Sequence, residues 1–380
     1  MEWILSAEKR ERERDVKLEY RNRELIAVCA AVWLTLLITG DARSQIRGRL
    51  FSQRGGLAST LTTGQVREGQ FTDGLSSLVV RDGRFSETTI AVLPQDEIWL
   101  LDGRQAHCDP NDLSLIGVRQ LVGQQWVEDQ LANLVLQHST DRTKKTLIYA
   151  HGNRTDEEWA IARGLQFYQN AFGNTGNCRP PVRLVIWSWH AEQEGCRPAR
   201  DFAEKSDRSV VVGPALVNLL LEFPDRNLLL VGFSLGAQSF LTALGDSRIQ
   251  ANQAEFQPEG YRVILIAPAL DGCYVASQAH QYPSPFVVER AEIFDNRIDR
   301  ALRVAKIVGR KQTPNGDISI RELAARGNLP LNNVQIWDMA EETGKGHSID
   351  RYSRNDAIRN CLNRMLWELA DDVEPVVQEP

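Results

Sequence analysis

The residues Gly232-Phe233-Ser234-Leu235-Gly236 follow an uncharged run, Leu228-Leu229-Leu230-Val231, and lead into Ala237-Gln238. A serine set between glycines at a strand-to-helix junction suits a turn too tight for larger neighbours. Such a turn exposes the hydroxyl above the carboxyl edge of a sheet, where it can act as a nucleophile. A plain glycine-rich turn is the competing reading of the same five residues. A serine hydroxyl is a poor nucleophile until a histidine takes its proton and a carboxylate orients that histidine. In the chain order serine, acid, histidine, only His280 and His347 follow Ser234. His347 ends Gly344-Lys345-Gly346-His347, just past the last apolar run at 334–337, where a doubly wound sheet carries its final active-site loop. His280 lies in a stretch rich in Tyr, Ser and Pro and reads as a surface or lid residue.

Two carboxylates stand at the ends of apolar runs and could orient the histidine: Asp299 after 291–294 and Asp271 after 263–267. Spacing does not separate them. Asp299 is favoured because it stands one strand before the histidine, while the alternative role for either is to cap a helix, Asp299 the one starting at Arg300. Acyl transfer further needs N–H donors for the oxyanion. The amide of Leu235 is one. The amide of Asn153, in Leu147-Ile148-Tyr149-Ala150-His151-Gly152-Asn153, is the second, on the loop after an earlier strand. His151 precedes the nucleophile in the chain and is expected to shape that loop without moving a proton.

These residues need elements to hold them. The runs at 146–150, 182–189, 227–233, 263–267, 291–294 and 334–337 are mostly continuous and apolar, the pattern of strands buried on both faces. Helical segments are predicted between and around them, at 126–137, 157–171, 206–222, 237–244, 299–308 and 355–370. The alternation implies an α/β fold: a doubly wound, mainly parallel, eight-stranded sheet with helices on both faces. Ahead of it, 78–80, a turn at 82–83, 88–93 and 97–101 read as a hairpin or meander at a sheet edge. The last helix bears Ile358, Leu362, Met365, Leu366 and Leu369 on one stripe, so it should pack on the sheet. The expected organisation is a charged leader with an apolar segment (1–41), a linker (42–75), the catalytic domain (76–372) and a tail (373–380).

Composition narrows the function. Across 380 residues, 42% are hydrophobic and 25% charged, an ordinary globular balance. The net charge of -6 gives no basic footprint for nucleic acid, so none is expected as a partner. Six cysteines with no C-x-x-C pair argue against a disulfide-framed scaffold or a zinc ribbon. With no H-E-x-x-H or H-x-H among the histidines, neither a metal nor another cofactor is expected.

Over roughly 97–370 the chain resembles the α/β-hydrolases, through His151-Gly152, Gly232-Phe233-Ser234-Leu235-Gly236, Asn296-Arg297-Ile298-Asp299-Arg300-Ala301-Leu302 and Gly346-His347-Ser348. Within them it is similar to bacterial hydrolases that pair an H-G-N/Y loop with a W-S-W/F strand end and an N-D-x-A-L acid loop. The middle feature here is Trp187-Ser188-Trp189. The resemblance implies Ser234 as nucleophile, Asp299 rather than Asp271 as acid, His347 as base, and Asn153 with Leu235 at the oxyanion hole. It implies a carboxylesterase-like or lipase-like serine hydrolase acting on a small-molecule or lipid ester. The chain departs from the pattern at two places: two residues separate Asn296 from Asp299, and His190 stands where proline is common. The span 270–290 is too short for a large lid, and Tyr274, His280, Tyr282 and Phe286 are candidates to line an open pocket. A non-catalytic binding protein of the same fold at a membrane surface is the alternative.

Residues 25–40 carry no charge. As a helix they would rise about 24 Å, between a signal-peptide core and a span of the roughly 30 Å hydrocarbon layer. The preceding 24 residues hold seven Lys/Arg and seven Asp/Glu, so this end is expected to stay cytoplasmic and the remainder to be exported. Gly40-Asp41-Ala42 offers a cleavage site after Ala42. If the domain is exported, Cys178 and Cys196 are the pair expected to join, with free buried thiols as the alternative. Cell fractionation with sequencing of the mature amino terminus is expected to find the chain with membranes, or exported and starting after Ala42. A soluble cytoplasmic chain that keeps Met1 would overturn both.

Overall fold

A computed structural model of the protein describes residues 75–371, except 82–83, 91, 174–178, 194–197, 250, 252–259, 270–287 and 304–333. Of two compact units, Met1–Phe71 lies outside the described residues, and Thr72–Pro380 carries every element below. The segment 25–40, Asp271, His280, the pocket candidates Tyr274, Tyr282 and Phe286, and Cys178 with Cys196 all lie outside the described residues. Cys108 and Cys361 are free thiols.

The strands in chain order are β1 (Leu75–Arg81), β2 (Arg84–Ile90), β3 (Glu97–Asp102), β4 (Gly117–Val122), β5 (Gln125–Asp129), β6 (Lys145–Ala150), β7 (Val182–Ser188), β8 (Leu228–Phe233), β9 (Tyr261–Ile266), β10 (Val288–Asp295) and β11 (Val334–Asp338). β1 and β2 pair as a separate antiparallel hairpin. The other nine form one sheet in the order β11-β10-β9-β8-β6-β7-β3-β4-β5, parallel except for the antiparallel β3-β4-β5 meander at one edge. Nine strands replace the eight expected. The edge differs from the one expected: 78–80 and 88–90 lie in the separate hairpin, while β4 was in no predicted run and 126–129, predicted as the start of a helix, belongs to β5, so that the helix α1 begins only at Leu131 (Leu131–Thr140).

The continuous apolar runs do lie where both faces are covered, for every residue of β6, β7, β8 and β9 is buried. Helices α2 (Glu157–Phe172), α7 (Ile349–Ser353) and α8 (Asp356–Asp371) contact one another, with α2 on β7 and α8 on β6 and β8. Helices α3 (Pro198–Val211), α4 (Gly213–Glu222) and α5 (Leu235–Leu244) form the other layer, with α5 on β8 and β6. A four-residue helix, α6 (Ala340–Thr343), follows β11. The single helix predicted at 206–222 is two, broken at Gly213-Pro214, where proline takes a first-turn position of α4 and lacks the N–H to continue α3.

Chain direction positions the site. From β6 the chain crosses to β7 on one side, and from β7 it returns past β6 to β8 and moves outward the other way. Right-handed crossovers then put α2 and α5 on opposite faces, leaving a crevice at the carboxyl ends of β6 and β8. Asn153 follows the first of these strands and Ser234 the second.

The start of this half of the sheet is pinned by Asp96, buried just before β3. One carboxylate oxygen accepts from Arg179 at 3.0 Å and from the Val182 amide at 2.8 Å; the other accepts from the Tyr168 hydroxyl at 2.6 Å and again from Arg179. Asp96→Ala would leave the buried Arg179 guanidinium without its anion. The expected cost is about 3 kcal/mol or more of unfolding free energy by urea titration, whereas an exposed ion pair would cost less than about 1 kcal/mol.

Candidate active site

The turn after β8 holds Ser234 at φ 55° and ψ -120°, a conformation that non-glycine residues rarely adopt. Hydrogen bonds on both sides impose it. The Ser234 amide donates to Ile266 O at 3.0 Å, and its carbonyl accepts from Ala237 at 3.1 Å and Ala269 at 3.1 Å. The flanking glycines are required by contact. A Cβ on Gly236 would lie 2.3 Å from the Ala150 carbonyl oxygen, and one on Gly232 would lie 2.6 Å from Ala237 Cα. A Cβ on Gly152 would reach 2.8 Å from Ser234 Cβ, so the loop after β6 lies directly against the serine. Arg154 and Ala267, the other two non-glycine residues at positive φ among the described residues, also sit just past β6 and β9.

Beyond β10 the chain turns on itself. Asn296 Oδ1 accepts from the Ile298 amide at 3.1 Å, and the Asp299 amide donates to Asn296 O at 3.2 Å. Asp299 is fully buried, and its two oxygens do different work. Oδ1 accepts from the amides of Ala301 at 2.8 Å and Leu302 at 3.3 Å, capping the helix that starts at Arg300. Oδ2 faces His347 Nδ1 at 2.8 Å. The capping role and the acid role, alternatives in the sequence, are both geometrically open to this one carboxylate.

His347 Nε2 lies 2.9 Å from Ser234 Oγ. An ionised carboxylate only accepts, so Nδ1 carries the imidazole proton toward Asp299, and Nε2 is left to accept from the serine hydroxyl. The ring stacks on Phe233 at 4.9 Å between centroids, which fixes its plane. Ser234, Asp299 and His347 are thus brought into one hydrogen-bonded chain from three separate loops at the carboxyl edge of the sheet.

Two further residues belong to this arrangement: Tyr352, which was not singled out in the sequence, and Asn296, which was named there only as part of the acid-loop motif. Asn296 Nδ2 donates to Thr343 Oγ1 at 2.8 Å, to Gly344 O at 2.8 Å and to the Tyr352 hydroxyl oxygen at 3.0 Å, tying the histidine loop to the acid loop. Tyr352 in turn donates to Asp299 Oδ2 at 3.2 Å. The asparagine two positions before an amide it accepts from is a readable turn signal; Tyr352, on a five-residue helix, leaves none.

The loop 151–155 is braced by its neighbours. His151 is buried, donates from Nδ1 to Gly152 O at 2.9 Å and accepts at Nε2 from the Trp189 amide at 3.3 Å, while Trp189 Nε1 donates to His151 O at 2.8 Å. Burial, with the Arg163 and Arg104 cations adding to it against the opposing Gly152 bond, pushes the His151 imidazole down to about 3. It stays neutral and braces the loop through its two backbone contacts. Arg163 reaches Thr155 Oγ1 at 2.6 Å and Asn153 O at 3.4 Å. The amides of Asn153 and Leu235, from the loop and from the first turn of α5, donate to no other group among the described residues. No three His, Cys, Asp or Glu side chains among the described residues cluster as metal ligands.

A sequence profile of the family described as "Alpha/beta hydrolase of unknown function (DUF900)" matches residues 127–364, more than half of the chain and all three residues of the hydrogen-bonded chain. No curated protein sequence matches. The backbone is similar to that of TT1662 from Thermus thermophilus, at 12% identity over 66% of this chain and 93% of that one, with a TM-score of 0.37. It is also similar to an esterase/lipase from an uncultured bacterium (13% identity, 60% and 76% coverage, TM-score 0.29) and to a fungal esterase from Rhizomucor miehei (16%, 61% and 75%, 0.29).

The neutral His151 has a measurable consequence. Unfolded, the imidazole titrates near 6.5; folded, it does so only near 3. Between those values the unfolded chain binds the extra proton, so stability contributed at neutral pH is lost as pH falls, by up to about 1.4 kcal/mol per unit. Urea titrations are expected to give a shallower decline below pH 6.5 for His151→Asn than for the parent; equal slopes would contradict the assignment.

Proposed function

We infer the reaction from two facts: the chain belongs to the alpha/beta hydrolase family of unknown function (DUF900), and Ser234, His347 and Asp299 form one hydrogen-bonded chain. The reading they support is a serine hydrolase that cleaves an ester through an acyl-serine intermediate. The observation that carries it is the pairing of Ser234 Oγ with His347 Nε2 at 2.9 Å beside a backbone held at φ 55°.

In this mechanism Ser234 Oγ attacks the ester carbonyl carbon as His347 Nε2 takes its proton. Asp299 stabilises the imidazolium and keeps its Nδ1–H aimed. Negative charge then develops on the carbonyl oxygen, and the amides of Leu235 and Asn153 are the donors available to receive it. Collapse breaks the carbon–oxygen bond to the alcohol, which leaves with the proton from His347. Water attacks the acyl-serine with His347 as base, releasing the carboxylic acid and restoring Ser234. No metal or cofactor enters any step. The substrate is a small-molecule or lipid ester, and the uncharged segment 25–40 is proposed to hold the enzyme at a membrane or to send it across one.

A fluorophosphonate probe is expected to label the full chain at one site and to leave Ser234→Ala unlabelled. On a short-chain aryl ester, Ser234→Ala is expected to lower kcat by about 10⁴-fold or more, and Asp299→Asn by about 10³- to 10⁴-fold through loss of the correct histidine tautomer. A parent chain that is neither labelled nor active would instead favour a binding protein of the same fold.

A further inference from the structure

We propose that Tyr352 is a positioning residue for Asp299: its hydroxyl, donating to the carboxylate oxygen that also receives His347 Nδ1–H, keeps that carboxylate ionised and aimed at the histidine. The inference rests on the serine-hydrolase reading above.

Asp299 is 0% exposed, and no lysine or arginine among the described residues pairs with it. A buried carboxylate without a cation is expensive unless donors replace the lost water. Two backbone amides serve Oδ1. On Oδ2 the only donors among the described residues are His347 and Tyr352, at 2.8 and 3.2 Å. The histidine is the group whose charge changes during turnover, which leaves the tyrosine as the constant donor on that oxygen.

The direction of the tyrosine proton is fixed by its surroundings. Asn296 Nδ2 can only donate, so its 3.0 Å bond to Tyr352 uses a lone pair of the phenol oxygen and leaves the phenol proton for Asp299. Burial, with the neighbouring Asp299 charge, pushes the Tyr352 phenol above its ordinary value, so it remains a donor across the working pH range. Helix α7 is itself anchored. Asp350 accepts from Gln166 at 2.8 Å and from Asn170 at 3.1 Å, and Asn170 also donates to Ser353 at 2.9 Å. These bonds seat the tyrosine on α2, the helix that follows the Asn153 loop. Of the charged groups nearby, His347 faces Asp299 from the loop after α6, while Arg351, beside Tyr352 on α7, is engaged by the Thr343 carbonyl.

Removing the hydroxyl tests this without unhooking the loops. The Asn296 amide has two hydrogens and three acceptors, and in Tyr352→Phe it keeps Thr343 and Gly344. With one donor lost, Asp299 holds protons, its own and that of His347, more tightly, and both effects act in the same direction. For the full-length chain on an aryl acetate between pH 5 and 9, Tyr352→Phe is expected to lower kcat about 10- to 100-fold with KM unchanged. The acid limb of the kcat profile should move to higher pH. A parent chain that the fluorophosphonate fails to label would defeat the serine-hydrolase reading itself. A labelled parent whose Tyr352→Phe variant keeps both kcat and the acid limb would overturn this inference alone. So would a loss of kcat with the limb unmoved, which marks a packing role only. If Tyr352→Phe does not fold, 3-fluorotyrosine incorporated at position 352 keeps the shape and is a stronger donor. The limb should then move to lower pH, and an unmoved limb overturns the proposal.

Discussion

The turn at Ser234 can exist only because two strands let their ends touch. Gly236 lies so close to the carbonyls of Ala150 and His151 that any side chain there would enter the backbone of β6's end, and Gly152 lies as close to the serine from the other side. Backbone strain of order 1–3 kcal/mol persists only where surrounding contacts over-determine it. Here three backbone hydrogen bonds, from β9's end and from α5, supply that constraint. The loop after β6 takes its position from this contact. The loop bearing Asn153 comes within reach of the serine because its strand neighbours β8, and it neighbours β8 because the chain reverses direction between them.

The acid and histidine come from the other half of the crevice and are held by a different kind of interaction. β10 and β11 run in parallel register, Asp295 opposite Asp338, so their following loops emerge side by side. Asn296 then joins them through its contacts to Thr343 and Gly344. Strain at Ser234 and a polar network around His347 meet at one hydrogen bond between the two residues. Three backbone bonds hold Ser234, whereas the loop bearing His347 contains Gly344 at φ 60° with open space around it, the kind of residue that lets a loop bend to fit.

How much of this was readable from the residues depends on how local each signal is. The buried strands were legible because β6 to β9 are mostly apolar and covered on both faces, with polar residues such as Lys145, Arg183 and Arg262 near their starts, a pattern no amphipathic element imitates. The serine turn was legible because its glycines answer a local steric demand. The β3-β4-β5 meander was harder: in Gln125–Asp129 the pattern is mixed and half-exposed, and Trp126 and Val127 fit a helix start as well as a strand. The break at Gly213-Pro214 was present in the sequence and was read through. Tyr352, and the bridging role of Asn296, were missed for a physical reason. Asn296 was visible as part of its motif and as a turn residue, but its tie to the histidine loop depends on Thr343, 47 residues away, and Tyr352 depends on Asp299, 53 residues away, with nothing in its own neighbourhood to mark it.

Two histidines lie close to the serine turn, and their surroundings divide them. His151 makes both of its ring bonds to backbone groups, one as donor and one as acceptor, an arrangement only the neutral ring can satisfy. A proton added to Nε2 would face the Trp189 N–H in a fully buried site, and burial therefore holds the imidazole far below its ordinary range. His347 keeps one nitrogen on a carboxylate and the other on a hydroxyl, with 18% of its side chain exposed. The same side chain is a buried brace between backbone groups in one place and a partly exposed link between two side chains in the other. The difference lies in the partner of a single ring nitrogen: at His151 a backbone amide, which can only donate and so leaves no place for a second ring proton, and at His347 a serine hydroxyl, which can donate or accept.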